Sequence, residues 1–325
     1  MATTDAVAAI VVTHNGGSRG FLVEALESVL GQTLCPAEVL LVDDASTDDT
    51  PSMVHGRFGS AVRVVSLARN LGPSGARNHG VRLATAPYVA FLDDDDVWLP
   101  AKIERQLAFL ERSGIELVCG RAEVIDSQGR LLPDRWITCP ESLSWPGTLF
   151  RNPVQSPGSV LVRRDTVRAV GGFPDGFRIG EDWLLWARIA RRAPLGYEDE
   201  AVTRYRLHDH QAAAGRTLTW IHEQTLATLR ELVADLPPEQ AALVLNAYAC
   251  GGVLRALAGR RFGEARRLAT AADGKGDWSL IAQRAIVGAV GKLSPGMQMA
   301  ATRLELRRLV KRFIASVSTR KERVQ

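Results

Sequence analysis

The chain has 325 residues, 46% of them hydrophobic and 23% charged, and a formal charge of +4. This composition excludes wholesale disorder, collagen-like repeats and coiled coils, and the length predicts about two domains. The small charge excess gives no case for nucleic acid, and it is unevenly placed: residues 301–325 hold eight Lys/Arg and two Asp/Glu, a local +6, so the first 300 residues sum to −2.

The elements alternate from the start. Residues 7–12 form a continuous apolar run, as in a strand buried on both faces. Apolar residues at 21, 22, 25, 26, 29 and 30 make a helical stripe. Strands are predicted at 39–42 and 62–67, a helix at 75–84, a strand at 88–92 and a helix at 99–110. Strand–helix alternation at this pitch predicts βαβ units and a parallel sheet. Between 115 and 163 the alternation weakens and Pro becomes frequent, which predicts loops and short strands, with one strand at 159–162. A helix follows at 180–192, then an extended segment at 197–207. From about 217 onward the pattern is helical throughout, which places a domain boundary at 212–217.

Cys35, Cys119, Cys139 and Cys250 are widely spaced and form no CxxC pair, so neither a cysteine zinc knuckle nor a disulfide framework is expected. The opening residues lack a basic signal-peptide region, and no apolar stretch reaches 18 residues. A reducing, cytoplasmic setting is the expectation.

Ligands of parallel sheets gather beyond the carboxyl ends of the strands. The residues there are Thr13, His14 and Asn15; Asp43 and Asp44; and the run Asp93, Asp94, Asp95 and Asp96. Four consecutive aspartates repel one another, and their proton affinities rise unless a cation neutralises them. After a buried strand they read as a divalent metal site of hard oxygen ligands, or as a solvated acidic loop capping the next helix. Glu181 and Asp182 open the helix EDWLLWARIA, either as N-terminal acids or with one as a general base. Arg77 lies in the Gly-rich turn NLGPSGARNHG, within reach of a phosphate, although the spacing is neither a Walker loop nor GxGxxG. His208 and His210 follow the strand TRYRL, as metal or phosphate contacts or as surface histidines. GxSxG and HExxH are absent.

Together these residues resemble a family 2 glycosyltransferase. Four blocks carry the likeness, in the family's order: AIVVTHN with ALESVLGQTLCPAEVLLVDDASTDDT; NLGPSGARNHGVRLATAPYVAFLDDDDVWLPAKIERQ; GSVLVRRDTVRAVGGFPDGFRIGEDWLLWARIA; and YRLHDHQ. They span roughly residues 6–212. The resemblance implies a GT-A fold over 1–212: a Rossmann-like α/β domain with a mostly parallel sheet flanked by helices; the helical pattern that follows makes 217–325 an all-helical region outside the resemblance. It implies an inverting transfer of sugar from a nucleotide-diphosphate sugar to an acceptor hydroxyl, with Mn²⁺ or Mg²⁺.

The resemblance also implies roles. Thr13, His14 and Asn15 lie on the nucleotide, as do Asp43 and Asp44, with Asp44 at the base. Arg77 lies on the diphosphate. Asp93 is nearest the ribose and Asp95 is the expected metal ligand, with Asp93 and His208 beside it. Four acids leave the register open by one, so Asp94 is ambiguous. Asp182 is the expected base, with Glu181 adjacent. His14 stands where the family more often has Tyr or Phe, and His208 is preferred over His210 from its place after YRL.

No QxxRW motif follows, which favours single addition over processive synthesis. The competing functions are a sugar-nucleotide nucleotidyltransferase, for which the Gly-rich, Arg/Lys-bearing first loop is missing, and a non-catalytic GT-A-like binding protein. Beyond the resemblance, Leu306, Leu309, Val310, Phe313, Ile314 and Val317 repeat at helical spacing among Arg307, Arg308, Lys311 and Arg312. This segment reads as an interfacial helix at the inner face of a membrane, suited to a lipid-linked acceptor, or as a helix packed on its own domain.

Overall fold

The computed structural model describes residues 6–133, 143–145, 147–149, 152–154, 156–177, 179–209, 211 and 217–238, and single positions at 241, 245 and 248. The chain divides into two compact units, Met1–Gly215 and Arg216–Gln325. His210 and the basic segment 301–325 lie outside the described residues.

The first unit opens with β1 (Val7–Thr13), every residue of which is buried. Alternate side chains enter different cores: Ala8, Ile10 and Val12 on one side, Val7, Ala9 and Val11 on the other. A strand covered on both faces must be apolar at every position, which explains its unbroken run. Helix α1 (Leu22–Leu30) buries Leu22, Ala25, Leu26 and Val29, the i, i+3, i+4, i+7 face. Next come β2 (Glu38–Asp43), α2 (Thr50–Phe58), β3 (Arg63–Ser66), α3 (Gly72–Leu83) and β4 (Tyr88–Asp93). A short β5 (Val97–Trp98) precedes α4 (Lys102–Ser113), which ends where Gly114 takes the left-handed conformation, φ +67°. The rest is β6 (Leu117–Ile125), β7 (Leu131–Leu132), β8 (Val160–Arg163), α5 (Arg164–Ala169), α6 (Glu181–Ala190) and β9 (Gly196–Arg206).

Among the described residues these strands form one sheet in the order β3-β2-β1-β4-β8-β6-β9-β5, with β7 paired to β6. The half from β3 to β4 is parallel, as the alternation predicts. The other half is mixed: β8 runs antiparallel to both β4 and β6, whereas β9 runs parallel to β6 and antiparallel to β5. The expectation of short strands between 115 and 163 is corrected by β6, a nine-residue strand. Its Gly120 and Arg121 sit at a register irregularity against β9, which breaks the regular alternation that pattern reading depends on.

This topology decides what meets at the site. Val12 of β1 is level with Asp93 of β4, and Thr13 with Asp43 of β2. Because β8 is antiparallel to β4, the residues before β8 arrive at the edge where β4 ends. Because β9 runs the same way as β4, the residues after β9 reach that edge too.

In the second unit, α7 (Leu218–Leu232) starts at Thr217, whose hydroxyl accepts the Trp220 N–H at 3.1 Å. It buries Leu226, Leu229 and Leu232. No helix among the described residues is long and apolar enough to cross a membrane.

Candidate active site

A cleft of about 460 Å³ opens at the carboxyl ends of β1, β2 and β4. Thr13, His14, Asp44, Arg77, Asp93, Asp94, Asp95, Glu181 and Asp182 all line it. Sequence segments from 13 to 182 thus converge on one space.

The four aspartates do four different things. Asp93 accepts from Arg77 Nη2 at 2.6 Å and is half-buried. Asp94 is buried and accepts from Thr13 Oγ1 at 2.5 Å and Arg19 Nη2 at 3.1 Å, tying β1 and the following loop to β4. Burial pushes its carboxyl up to about 6 despite Arg19. Asp95 Oδ2 lies 2.8 Å from His208 Nε2; burial first, then the charge of Asp93, raises its proton affinity. Asp96 is fully buried, accepting from Ser156 Oγ at 2.9 Å and from the Arg206 backbone N–H at 3.0 Å. Asp96 does not line the cleft. Three of the four, Asp93, Asp94 and Asp95, thus line the cleft, with Asp94 the most buried of them, and Asp96 lies behind it.

His208 stands behind Asp95 and is absent from the cleft wall, its side chain 4% exposed. Arg206 sets it there. The Arg206 guanidinium donates to the Asp95 carbonyl at 2.8 Å and to Glu24 Oε2 at 2.6 Å, and stacks on the Phe21 ring at 4.7 Å. Phe21 also lies 5.2 Å from the His208 ring.

The opposite wall is the start of α6. Arg77 is buried between two acids, with Nη2 on Asp93 and Nη1 on Glu181 Oε1 at 3.0 Å, over the Phe173 ring at 5.3 Å. Burial works against its charge, but Asp93 and Glu181 outweigh that and raise its proton affinity. Expected on a diphosphate, Arg77 is here engaged at both terminal nitrogens by carboxylates. Asp182 accepts from the Trp183 N–H at 2.7 Å and from Asn152 Nδ2 at 3.2 Å. Burial, and next the charge of Glu181, push its carboxyl up to about 6.

At the third side, Asp44 Oδ1 accepts the Leu71 N–H at 2.6 Å, and His14 Nδ1 faces the Asp44 carbonyl at 2.9 Å. A carbonyl only accepts, so Nδ1 donates to it, while Nε2 lies 3.4 Å from Asn15 Nδ2. Asn15 and Asp43 do not line the cleft. Asn15 Oδ1 accepts the Thr47 N–H and Asp43 Oδ1 the Ser46 N–H, so both shape the loop after β2.

Sequence reading missed Arg19, Asn152, Ser156, Tyr205, Arg206 and Gln211. Arg19 was accessible to it as the single basic residue of the loop after β1. Asn152 and Ser156 were not, because only the antiparallel direction of β8 brings the residues before it to this edge.

An α/β sheet flanked by helices, with a cleft at the carboxyl ends of its parallel strands, belongs to the class of folds that receive their ligands at that edge. The family described as glycosyl transferase family 2 matches residues 8–171, and the chain belongs to it. An uncharacterized glycosyltransferase of Rickettsia felis is 31% identical over 189 residues, 57% of this chain and 30% of that protein. The succinoglycan biosynthesis protein ExoO of Rhizobium meliloti is 32% identical over 190 residues, 55% of this chain and 53% of that protein. The chain thus spans about a third to a half of these relatives' length. Residues 1–349 of S. aureus TarS, crystallised with UDP-GlcNAc, share the fold at a TM-score of 0.61 and 20% identity, over 84% of this chain and 83% of that one.

Proposed function

We propose that the chain transfers a sugar from a nucleotide-diphosphate sugar to an acceptor hydroxyl, with inversion and one addition at a time, in the making of a cell-envelope polysaccharide or another glycoconjugate. The observation that carries this reading is a single cleft with Asp182, a half-buried carboxyl pushed up to about 6, on one wall and Asp93 and Asp95 on another. An acid of that affinity is ionised at neutral pH and still basic enough to take a proton from a hydroxyl. Succinoglycan synthesis by ExoO and the UDP-GlcNAc held by TarS support the product and donor classes.

In this reading Asp182 removes the acceptor proton as the hydroxyl oxygen attacks the anomeric carbon. The bond from that carbon to the diphosphate breaks, and its electron pair leaves on the diphosphate oxygen. Asp44, Thr13 and His14 hold the nucleotide.

The cleft lining has six carboxylates and two guanidiniums, so a diphosphate entering it needs a cation. Asp93 and Asp95 fit as hard oxygen ligands for Mn²⁺ or Mg²⁺, with His208 orienting Asp95. Among the described residues no three His, Cys, Asp or Glu side chains form a ready cage; an ion held by one or two carboxylates would take its other ligands from water and phosphate oxygens. A bound ion of this kind neutralises charge developing on the departing diphosphate.

The test is metal-dependent release of nucleoside diphosphate from a panel of nucleotide sugars, with Asp182→Asn alongside wild type. Release abolished by Asp182→Asn, with donor binding kept, supports the reading. Pyrophosphate release from a nucleoside triphosphate would instead favour a nucleotidyltransferase.

A further inference from the structure

We propose that Asn152 is the positioning residue of the site: its side-chain amide holds the Asp182 carboxylate in the orientation that turns the unused oxygen lone pairs toward the cleft. This rests on the reading of Asp182 as the base.

Asn152 Oδ1 accepts the Val154 N–H at 3.1 Å, and Nδ2 points at Asp182 Oδ2, 3.2 Å away. A flipped amide would set oxygen against carboxylate and NH₂ against N–H, two repulsive contacts, so the orientation follows from the chemistry. The turn itself is anchored. Pro153 restricts the backbone, and Val154 is buried in the same core cluster as Phe173 and Trp186.

The second donor on Asp182 is the Trp183 N–H, one of the first-turn amides of α6 that have no partner within the helix. Among the described residues each carboxylate oxygen therefore has one donor, one from the helix and one from a loop 30 residues upstream. With only the Trp183 contact, the carboxylate keeps a freely rotating end. The charged groups that act on Asp182 are Glu181 on its own helix and Arg77 on α3, and Arg77 makes its hydrogen bond to Glu181. Among the described residues, Asn152 is the side chain that donates directly to Asp182.

The isosteric substitution Asn152→Asp keeps the oxygen that accepts from Val154 and exchanges the donor for a negative charge, whereas Asn152→Ala removes the donor alone. Carbon-13 carboxylate NMR, with the Asp182 resonance assigned from Asp182→Asn, follows the acid without any substrate. The titration midpoint of Asp182 is expected to move up by about one pH unit in Asn152→Asp, where a like charge replaces a donor. Asn152→Ala, which adds no charge, is expected to move it in the same direction by less. With UDP-glucose and UDP-GlcNAc as probes, nucleoside diphosphate release is expected to fall about ten- to hundredfold in kcat, with donor KM within about twofold. An unmoved midpoint in both folded variants overturns the inference, as does a fall in kcat explained by lost thermal stability. Turnover retained by Asp182→Asn defeats the base assignment instead, and the NMR midpoint still decides whether Asn152 holds the carboxylate.

Discussion

His208 and Asp95, 113 residues apart in the chain, meet at 2.8 Å, with the imidazole side chain almost wholly shielded and the carboxylate on the cleft. The pair joins the end of β9 to the turn after β4, and it makes the histidine a partner of the acid. Asp95→Ala should therefore remove metal-dependent binding of nucleotide sugar. His208→Ala should weaken it about 10- to 100-fold, the usual effect of losing a residue that orients a ligand. Calorimetric titration with and without Mn²⁺ checks this; equal donor affinity in His208→Ala and wild type would remove the histidine from the site.

Arg206 holds that pair in place from inside the protein, with its side chain 2% exposed. Arg206→Met leaves the Asp95 carbonyl without its donor and Glu24 without its partner. Loss of about 1–3 kcal/mol of stability is expected, chiefly from the Asp95 carbonyl left without its donor, because Glu24 is exposed enough to be solvated alone, and urea unfolding at pH 7 measures it. A midpoint unchanged from wild type would contradict a structural role for Arg206.

Turnover should follow the ionisation of Asp182. With its carboxyl pushed up to about 6, the ionised base disappears as pH falls, so kcat should hold steady above pH 7 and drop with unit slope below 6. Asp182→Asn should lose about 10²- to 10⁴-fold in turnover at every pH and have no such limb.

Lys102 gives a stability signal independent of catalysis. Its amine is buried, donating to Gln106 Oε1 at 2.6 Å and the Val160 carbonyl at 2.9 Å, and burial pulls it down to about 7 even with Glu198 pushing the other way. The unfolded lysine takes its proton near 10.5, so between pH 10.5 and 7 the unfolded state binds more protons than the folded one. Folding should therefore weaken as pH falls through that window. In Lys102→Met this contribution vanishes, and comparing melting temperatures of the two proteins at pH 7 and pH 9 reads it. Parallel changes in both would show that the lysine is not the source.

Close helix–sheet packing can be tested at Gly80, where a methyl group would collide with the Ile10 side chain. Gly80→Ala should lose about 1–3 kcal/mol, as overpacked cores do. A stabilised variant, as a helix-propensity argument alone would suggest, would show that α3 shifts freely on β1.

The sequence by itself determined the parallel half of the sheet, because strands buried on both faces must be apolar throughout and the helices between them must show a periodic face. It also determined the neighbourhood of the site, since polar and acidic residues directly after such strands stand at the edge where a parallel sheet receives its ligands. It did not separate the jobs of Asp93 to Asp96, which are chemically identical and adjacent. Their duties are set by what arrives opposite each one: Arg77, Thr13 with Arg19, His208, and Ser156 with the Arg206 backbone. Those partners come from distant segments, delivered by the antiparallel turn of β8 and the return of β9, and strand direction is a long-range choice that local pattern does not encode. For the same reason Asn15 and Asp43, well placed in sequence, face the loop, while Asn152, with no local pattern to mark it, lies against Asp182.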